Sequence, residues 1–458
     1  MVKGAVLSFH KFFYTLSMTF ILSIVLSGCS LNFDKSNSTV LDTQPASTPI
    51  QLIVITPSPS QDQSVSTEII LTTPDYFSRV YPLSDNEFVI PLTVRHVTDK
   101  SAIMFYELRK PQKGMLVYRS VSPETNSQGE ITIPSGETRN MITIDGLSPG
   151  IAYQAMMLVD HGEEDLRQPK FVEKEWGKVN FRTDSEQESL RVGILGDASF
   201  GDEATYSLIT TMASNDLDFI IHTGDVVYET DVTDPLRSYI LNYFEPFSPL
   251  LHQGPVYTVL GNHDYDAAVN WQGAPFYDYA FPPLPDPNIN YPASRRANQY
   301  YAFSYRDIQF LMVDSQIFFG VDGRAGQDSW LKERLEDPRY RITIPVFHIA
   351  PYSSSIVHPD DSLPVRYSWV PLFEAANVPI SFSGHFHNYE RLAVNGVTYI
   401  VTGGGSSTLY ALGDLLPESR IYAPITHFVL MEIFDNRIEI NAITKDGETI
   451  DQTTISLK

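Results

Sequence analysis

Cysteine, basic residues and long apolar runs are all scarce in this chain of 458 residues. The single cysteine, Cys29, excludes an intramolecular disulfide and a thiolate-held metal cluster. Lysine and arginine number 32 against 55 aspartates and glutamates, and the net charge of −23 argues against nucleic acid as the main partner. Apolar residues make up 43% of the chain, which is enough for sizeable cores and excludes a protein disordered throughout.

An N-terminal apolar run covers residues 12–26. Lys3 and Lys11 precede this run, and Cys29 follows shortly after its end. The run is shorter than the roughly 20 residues that a membrane span needs, and small residues occupy the position where signal peptides are cleaved. The segment Leu26-Ser27-Gly28-Cys29 resembles a bacterial lipoprotein signal. We therefore expect residues 1–29 to be a signal peptide and a lipidated Cys29 to anchor the protein outside the cytoplasm, at a cell surface or in a periplasm. An uncleaved anchor helix is the alternative, on the same side of the membrane.

Length and composition divide the rest of the chain into three parts. Residues 30–73 are rich in Ser, Thr, Gln and Pro and predict a disordered tether. Residues 74–184 show short alternating strands separated by turn residues, which predicts an all-β sandwich. Within them, residues 144–153 resemble the fibronectin type III pattern, in which a Leu and a Tyr flank a Pro-Gly turn. The residues of this part show no catalytic constellation, so we expect a scaffold or presentation role.

Residues 185–458 alternate buried strands with segments of helical pattern, at residues 206–213, 236–244 and 327–335. Five apolar runs each end in an oxygen or imidazole side chain, a pattern typical of strands whose carboxyl ends converge on one site. The residues that follow the five runs are Asp197, Asp225 with Tyr228, Asn262 with His263 and Asp264, His348, and His385 with His387. The sequence therefore predicts a two-metal hydrolase site.

This motif set resembles the calcineurin-like metallophosphoesterases, and within them the purple acid phosphatases. Asp197 is followed by Ala198-Ser199 where the wider superfamily has a histidine, and Tyr228 stands where purple acid phosphatases have a tyrosine. Residues 384–391, Gly-His-Phe-His-Asn-Tyr-Glu-Arg, match their last motif. The resemblance implies a mixed α+β and α/β fold, a four-layer metallophosphoesterase β-sandwich flanked by helices and preceded by the fibronectin type III-like sandwich.

The resemblance also implies the ligands of two metal ions. Asp197, Tyr228 and His387 would bind one metal, and Asp225 would bridge to a second metal bound by Asn262, His348 and His385. A phenolate ligand suits a strongly acidic ion such as Fe(III), because the unperturbed pKa of tyrosine is near 10. Amide, imidazole and carboxylate ligands suit a divalent Fe, Zn or Mn ion.

Three further residues receive catalytic roles from the resemblance. His263 would protonate the leaving group, Asp264 would orient its imidazole, and His358 would contact substrate. Hydroxide held by the metal pair would attack the phosphorus without a covalent enzyme intermediate. Among the remaining candidates, we expect His222 to be a buried core histidine, Arg391 to pair with a carboxylate, and residues 403–405 to be a closely packed loop.

We therefore expect a dinuclear metal hydrolase of the acid phosphatase type that cleaves small phosphomonoesters and meets the membrane only through its lipid anchor. A phosphodiesterase or nucleotidase on the same core is the alternative within enzymes. A non-catalytic cell-surface binding protein is the alternative from another class, although retention of all seven ligand positions argues against it.

Overall fold

The computed structural model describes residues 87–121, 127–133, 136–160, 171–185, 189–198, 200–228, 235–265, 272–284, 289 and 299–457. All of them belong to one compact unit. The predicted signal peptide 1–29 with Cys29 and the predicted tether 30–73 lie outside these residues. Within the described part of the chain, no helix combines the length and apolar character needed to cross a membrane.

The first described region is all β. Its strands are β1 (Phe88–Val97), β2 (Ser101–Leu108), β3 (Gly114–Ser120), β4 (Gln128–Ile133), β5 (Arg139–Asp145), β6 (Ala152–Asp160) and β7 (Phe171–Arg182). They form a three-stranded sheet in the order β1-β2-β5, here called the inner sheet, and a four-stranded sheet in the order β4-β3-β6-β7, here called the outer sheet. All pairings are antiparallel. The predicted strands of this region are confirmed.

A shared apolar core joins the inner and outer sheets, with Met104, Tyr106 and Leu116 among its buried members. Tyr153 of β6 is fully buried, and its hydroxyl accepts a hydrogen bond from the backbone N–H of Ser148 at 3.0 Å. This short-range contact from a strand tyrosine to an upstream turn is common in immunoglobulin-like sandwiches. The fibronectin type III resemblance itself stays a prediction.

The second region carries two larger sheets. Its strands are β8 (Leu190–Leu195), β9 (Phe219–His222), β10 (Val256–Thr258), β11 (Tyr301–Tyr305), β12 (Ile308–Val313), β13 (Ile342–Ile349), β14 (Ile380–Gly384), β15 (Tyr389–Val394), β16 (Val397–Thr402), β17 (Ser419–Ala423), β18 (His427–Ile433), β19 (Arg437–Thr444) and β20 (Thr449–Ser456). The sheet orders are β10-β9-β8-β18-β19-β20 and β11-β12-β13-β14-β16-β15-β17.

The α-helices of the described chain all lie in this region. They are α1 (Glu203–Ala213), α2 (Pro235–Tyr239), α3 (Ser248–Leu251), α4 (Pro275–Ala280), α5 (Arg324–Leu335) and α6 (Ser362–Ala375). α1 begins before the predicted residue 206 because Asp202 accepts a hydrogen bond from the Thr205 backbone N–H and caps the helix. The helix predicted at 236–244 is α2 followed by a π-helical turn, Ile240–Phe244, which ends in a bond from the Glu245 N–H to the Ile240 carbonyl.

The two larger sheets share one apolar core, since Ile194 and Ile221 of one sheet cluster with Phe310 and Ile344 of the other. A second core joins the first of these sheets to residues of α1 and α3, and a third joins the other sheet to α5 and α6. β8, β9 and β10 are parallel, as are β12, β13, β14 and β16. Their carboxyl ends bring the five predicted ligand segments to one edge of the fold.

Candidate metal centre

The seven predicted ligands follow or end these parallel strands. Asp197 follows β8, Asp225 and Tyr228 follow β9, and Asn262 follows β10. His348 is near the end of β13, and His385 and His387 come directly after β14. The strands are buried because they lie between the shared core and the helices, which explains why each ligand is preceded by an apolar run.

Three of the ligands have left-handed backbone conformations, with φ of 57° at Asp197, 53° at Asp225 and 67° at His385. Such conformations are uncommon outside glycine and cluster at functional sites. The loops also pass very close to the carboxylates, since a Cβ added at Gly261 would overlap Asp225 Oδ1. A glycine is therefore required where the chain turns from β10 toward Asn262.

Asp197, Tyr228 and His387 form the first ligand group, here called the Tyr228 cluster. The Tyr228 hydroxyl lies 2.8 Å from Asp197 Oδ1 and 2.8 Å from His387 Nε2. His387 Nε2 is 3.4 Å from the same carboxylate oxygen. A single O–H can donate to only one of these acceptors, so the cluster holds more lone pairs than protons.

Asn262, His348 and His385 form the second group, here called the Asn262 cluster. Asn262 Oδ1 lies 3.1 Å from His348 Nε2 and 3.1 Å from His385 Nδ1. His348 and His385 are buried, and their rings meet edge to face at 5.2 Å between centroids.

Contacts behind the two imidazoles set which nitrogen faces Asn262. His348 Nδ1 lies 2.9 Å from the Thr223 carbonyl oxygen, and His385 Nε2 lies 3.0 Å from Asp361 Oδ2. Both partners are acceptors, so the ring protons of neutral imidazoles belong on these nitrogens. The other two nitrogens then aim lone pairs at the Asn262 oxygen. Three acceptors facing one another need a cation or a proton between them, and this donor set fits a divalent metal.

Asp225 connects the two clusters. Its carboxylate oxygen lies 3.4 Å from His348 Nε2, and ligand atoms of Asp225, His348 and Asp197 lie within 4.8 Å of one another. The backbone N–H of His385 also donates to Asp197 Oδ2 at 3.0 Å. The seven side chains therefore form one continuous site with Asp225 at its middle, as a bridging ligand requires.

Burial and the paired carboxylates perturb the pKa values of these groups. Burial lowers the pKa of His348, but Asp225 and Asp197 outweigh it and raise that pKa to about 9. Burial lowers the pKa of His385. Burial, together with Asp197 and Asp225, raises the pKa of Tyr228 well above its usual value. The carboxylates thus attract positive charge, whereas the phenol keeps its proton until a strongly acidic cation replaces it.

The three predicted catalytic residues, His263, Asp264 and His358, differ in the contacts that they make. The His263 ring lies against Tyr228, with 4.7 Å between centroids, and its backbone N–H donates to Asp225 Oδ1 at 2.9 Å. Asp264, however, does not orient the His263 imidazole as predicted. Its buried carboxylate accepts hydrogen bonds from the backbone N–H groups of Val226, Val227 and Gly261 at 2.8 to 3.2 Å. Both carboxylate oxygens of Asp264 take part in these bonds. Asp264 therefore fixes the loop after β9 to the loop after β10.

His358 lies beside the Asn262 cluster, with its ring centroid 5.0 Å from that of His385. Its Nδ1 is 3.4 Å from Asp361 Oδ2, the atom that also contacts His385 Nε2. His358 is 47% exposed, so it can meet a ligand from solvent.

Sequence reasoning did not identify Asp361, Phe200 or Tyr410 as neighbours of the site. Phe200 stacks on Tyr228 with 4.0 Å between centroids, and Tyr410 stacks on His387 with 4.2 Å. Asp361 could have been found from the sequence by its position three residues after His358. Phe200 and Tyr410 follow no motif, so no signal in the sequence identified them.

Other expectations about nearby residues are confirmed. His222 is a fully buried histidine in β9, and burial lowers its pKa to about 4. Arg391 pairs with Asp451 at 2.6 Å. Glu390 accepts hydrogen bonds from the Ser354 N–H and hydroxyl, so it orders the loop that leads to His358. At Gly403 an added Cβ would overlap the Phe386 carbonyl oxygen, which shows the predicted close packing of residues 403–405.

Residues 190–389 match the model of the calcineurin-like phosphoesterase family. The chain is 25% identical over 224 residues to probable purple acid phosphatase 20 of Arabidopsis thaliana, covering 47% of this chain and 49% of that protein. It is 24% identical over 340 residues to purple acid phosphatase 23 of Arabidopsis thaliana, covering 66% and 69%. A nucleotide pyrophosphatase/phosphodiesterase of Hordeum vulgare is 24% identical over 275 residues, covering 52% and 72%. The chain thus spans about half of the first relative and more of the other two.

A solved structure has the same fold. Purple acid phosphatase PPD1 from seeds of yellow lupin (Lupinus luteus) superposes with a TM-score of 0.63 at 16% identity, covering 80% of this chain and 74% of that one. Residues 190–389 are therefore similar to calcineurin-like phosphoesterase domains, and the superposition shows the same fold. This similarity agrees with the predicted metallophosphoesterase class.

Proposed function

We propose that this metallophosphoesterase domain hydrolyses phosphomonoesters in the manner of an acid phosphatase, with two metal ions. The observation that carries the proposal is the meeting of Asn262 Oδ1 with two imidazole nitrogens at 3.1 Å, next to the carboxylate of Asp225. These acceptors are stable together only around positive charge. The tyrosine in the first cluster supports the purple acid phosphatase type over other phosphoesterases.

When bound, two metal ions would act as Lewis acids toward the phosphoryl oxygens and lower the pKa of water. The six side chains of the two clusters, together with Asp225 between them, would hold and space these ions. His263, which contacts Tyr228 and Asp225, is placed to donate a proton to the leaving-group oxygen. His358 is exposed at the rim and is placed to contact the phosphoryl group of a small substrate.

The donor sets support different metals in the two clusters. A phenol whose pKa is raised well above 10 loses its proton only to a strongly acidic ion, so we assign Fe(III) to the Tyr228 cluster. Amide and imidazole donors suit a divalent Fe, Zn or Mn ion, which we assign to the Asn262 cluster.

The experiment that tests this function measures metal content together with turnover of p-nitrophenyl phosphate and bis(p-nitrophenyl) phosphate. We expect two metal ions per chain, a preference for the monoester, and a visible absorption band from tyrosine bound to Fe(III). The same protein carrying Asp225→Asn should lose both metal and turnover. Wild-type protein that binds two metals without cleaving either ester would overturn the proposal and favour a non-catalytic binding protein.

A phosphodiesterase is the second candidate because one relative, the barley protein, is named a nucleotide pyrophosphatase/phosphodiesterase. The same pair of esters separates the candidates. A higher kcat/KM for the diester than for the monoester, with the same metal content, would favour a phosphodiesterase function of the same site.

We also propose that the protein is lipid-anchored outside the cytoplasm, on the basis of the residues around Cys29. Expression of the full chain in a bacterial host, followed by membrane fractionation and mass spectrometry of the N-terminus, tests this location. The expected result is a membrane fraction that carries acylated Cys29, whereas Cys29→Ala should release the protein or retain the uncleaved segment. An unmodified N-terminus on soluble wild-type protein would refute the anchor.

A further inference from the structure

We propose that the N-terminal sandwich is a positioning element of the metal centre, because it holds the two elements on either side of Asn262 and His263. These elements are β10, which leads into Asn262, and α4, the next described helix along the chain. The proposal rests on the metal centre proposed above, but it concerns metal affinity and does not depend on which ester is cleaved.

β10 needs support from outside its own sheet. Among the described strands it lies at the edge of its sheet and pairs with β9 alone, through residues Val256, Tyr257 and Thr258. Three pairs on one side are a weak restraint for a strand that delivers a metal ligand. The sandwich supplies another, since His96 of β1 lies with its Nδ1 2.6 Å from the Tyr257 hydroxyl, and both side chains are buried.

The open edge of β10 is joined to α4 as well. The Thr258 carbonyl oxygen accepts hydrogen bonds from the hydroxyls of Tyr277 at 3.0 Å and Tyr301 at 3.1 Å. Tyr277 belongs to α4 and is fully buried. A displacement of α4 would therefore pull on the strand that ends four residues before Asn262.

Side chains of the sandwich hold α4 at its C-terminal end. Arg139 of β5 donates to the Tyr279 carbonyl oxygen, and its guanidinium lies 3.9 Å from the centre of the Tyr279 ring. Glu107 of β2 accepts from the Tyr279 hydroxyl at 2.5 Å and pairs with Arg139 at 3.1 Å. Arg95 of β1 donates to the Ala280 carbonyl oxygen at 3.4 Å. Arginine at the last carbonyls of a helix satisfies acceptors that the helix itself leaves free.

The inner sheet is also built into the core of the second region. Ile90 of β1 and Phe105 of β2 cluster with residues of α1 and α3, whereas Met104 and Tyr106, which flank Phe105 along β2, belong to the sandwich core. A sheet buried on both faces cannot shift without opening one of the two cores. The contacts at Tyr257 and α4 are therefore made from a rigid platform.

The test compares two arginines that both join the sandwich to the second region. Arg139 is 27% exposed and pairs with Glu107, next to α4. Arg306 is 25% exposed and pairs with Asp184 at 3.2 Å, and neither residue belongs to β10 or α4. Each is changed to Gln in the full chain, and binding of Zn²⁺ to EDTA-treated protein is followed by calorimetry beside the melting temperature.

We expect Arg139→Gln to weaken zinc binding at the Asn262 cluster about tenfold, the size typical for loss of an outer support of a metal ligand. Arg306→Gln should lower the melting temperature about as much as Arg139→Gln does and leave this zinc affinity unchanged. Equal affinities in the two variants would overturn the proposal and leave the sandwich a stabilising part only. Because zinc binding is measured without substrate, the experiment tests the role of the sandwich even if the protein has no phosphatase activity.

A milder set of variants covers the case in which Arg139→Gln does not fold. Tyr257→Phe removes only the hydroxyl that meets His96 and should weaken the same zinc site. His96→Gln keeps a hydrogen-bonding group and should restore most of the affinity that His96→Leu loses. Full zinc affinity in Tyr257→Phe and in His96→Leu would contradict the proposed role of this contact.

Discussion

The Tyr228 cluster and the Asn262 cluster lie side by side, yet they differ in what keeps their donor atoms together. The Tyr228 cluster contains its own hydrogen-bond donor, the phenol, which lies 2.8 Å from both Asp197 and His387. In the Asn262 cluster the amide oxygen faces two imidazole nitrogens whose partners on the far side are acceptors. The Tyr228 cluster is thus stable with the proton of its own phenol, whereas the Asn262 cluster needs added positive charge, either a proton on His348 or a metal ion.

This difference gives the two clusters different requirements for metal binding. A metal that enters the Tyr228 cluster must displace a phenolic proton, which costs free energy that only a strongly acidic ion recovers. A metal that enters the Asn262 cluster must displace the proton on His348, whereas the lone pairs of Asn262 and His385 already face the site. These unlike requirements are the reason for proposing unlike metals in the two clusters.

The largest effect should come from Asp225→Asn, which removes the carboxylate shared by the clusters. Loss of an outer partner of a metal ligand already costs about 10–100-fold in metal affinity or activity, so loss of this shared carboxylate should lower turnover at least ~100-fold, and neither metal should bind tightly. Metal content after dialysis is the measurement. Asp451→Asn is the matched control, since Asp451 is a buried carboxylate bonded to Tyr389 and Arg391 outside both clusters. Retention of either metal at full affinity in Asp225→Asn would show that the clusters are independent.

Tyr228→Phe should have a smaller and one-sided effect. It removes the phenol of the Tyr228 cluster and leaves the Asn262 cluster complete, so one metal should be retained. In the wild type the phenol is protonated at neutral pH, and its displacement makes affinity rise about tenfold per pH unit. This contribution to the pH dependence should vanish in the variant, together with any visible band. Calorimetric titrations at pH 6, 7 and 8 measure it, and an unchanged slope would show that Tyr228 is not a ligand.

The smallest effect is a loss of folding stability at low pH, which must be distinguished from the loss of metal at low pH. Burial lowers the pKa of His427 to about 4, and its ring contacts Thr402 and the Ile425 carbonyl, outside both clusters. Because the folded-state pKa lies below the unfolded value near 6.5, the folded protein loses stability as pH falls from about 6.5 to 4, by roughly 3 kcal/mol. Urea unfolding of EDTA-treated protein at pH 7 and pH 4.5 measures this loss. His427→Gln should reduce it, and an equal loss in the variant would assign it to other groups.

The sequence allowed prediction of what local patterns determine. Apolar runs followed by ligand-type side chains predicted β8, β9, β10, β13 and β14, and the structure brings the seven following side chains together. A strand end positions the next few residues by itself, so these contacts need little long-range information.

Contacts set by distant packing were beyond such reasoning. The family resemblance implied that Asp264 orients the imidazole of His263, but its carboxylate is used by the N–H groups of Val226, Val227 and Gly261. The contact of Arg139 with Tyr279 joins residues 140 positions apart, and no periodicity relates them. The sequence therefore predicted only a scaffold role for the sandwich, whereas the structure shows its inner sheet packed against the second region.

The left-handed backbone at Asp197, Asp225 and His385 has a consequence for mutagenesis. Alanine at these positions would remove a ligand and also force a side chain with a poor left-handed preference onto the turn. A loss of stability in an alanine scan would then mix backbone cost with metal loss. Asparagine tolerates the same φ and lacks the charge, so asparagine at Asp197 and Asp225 reports the electrostatic contribution of each carboxylate on an unaltered turn.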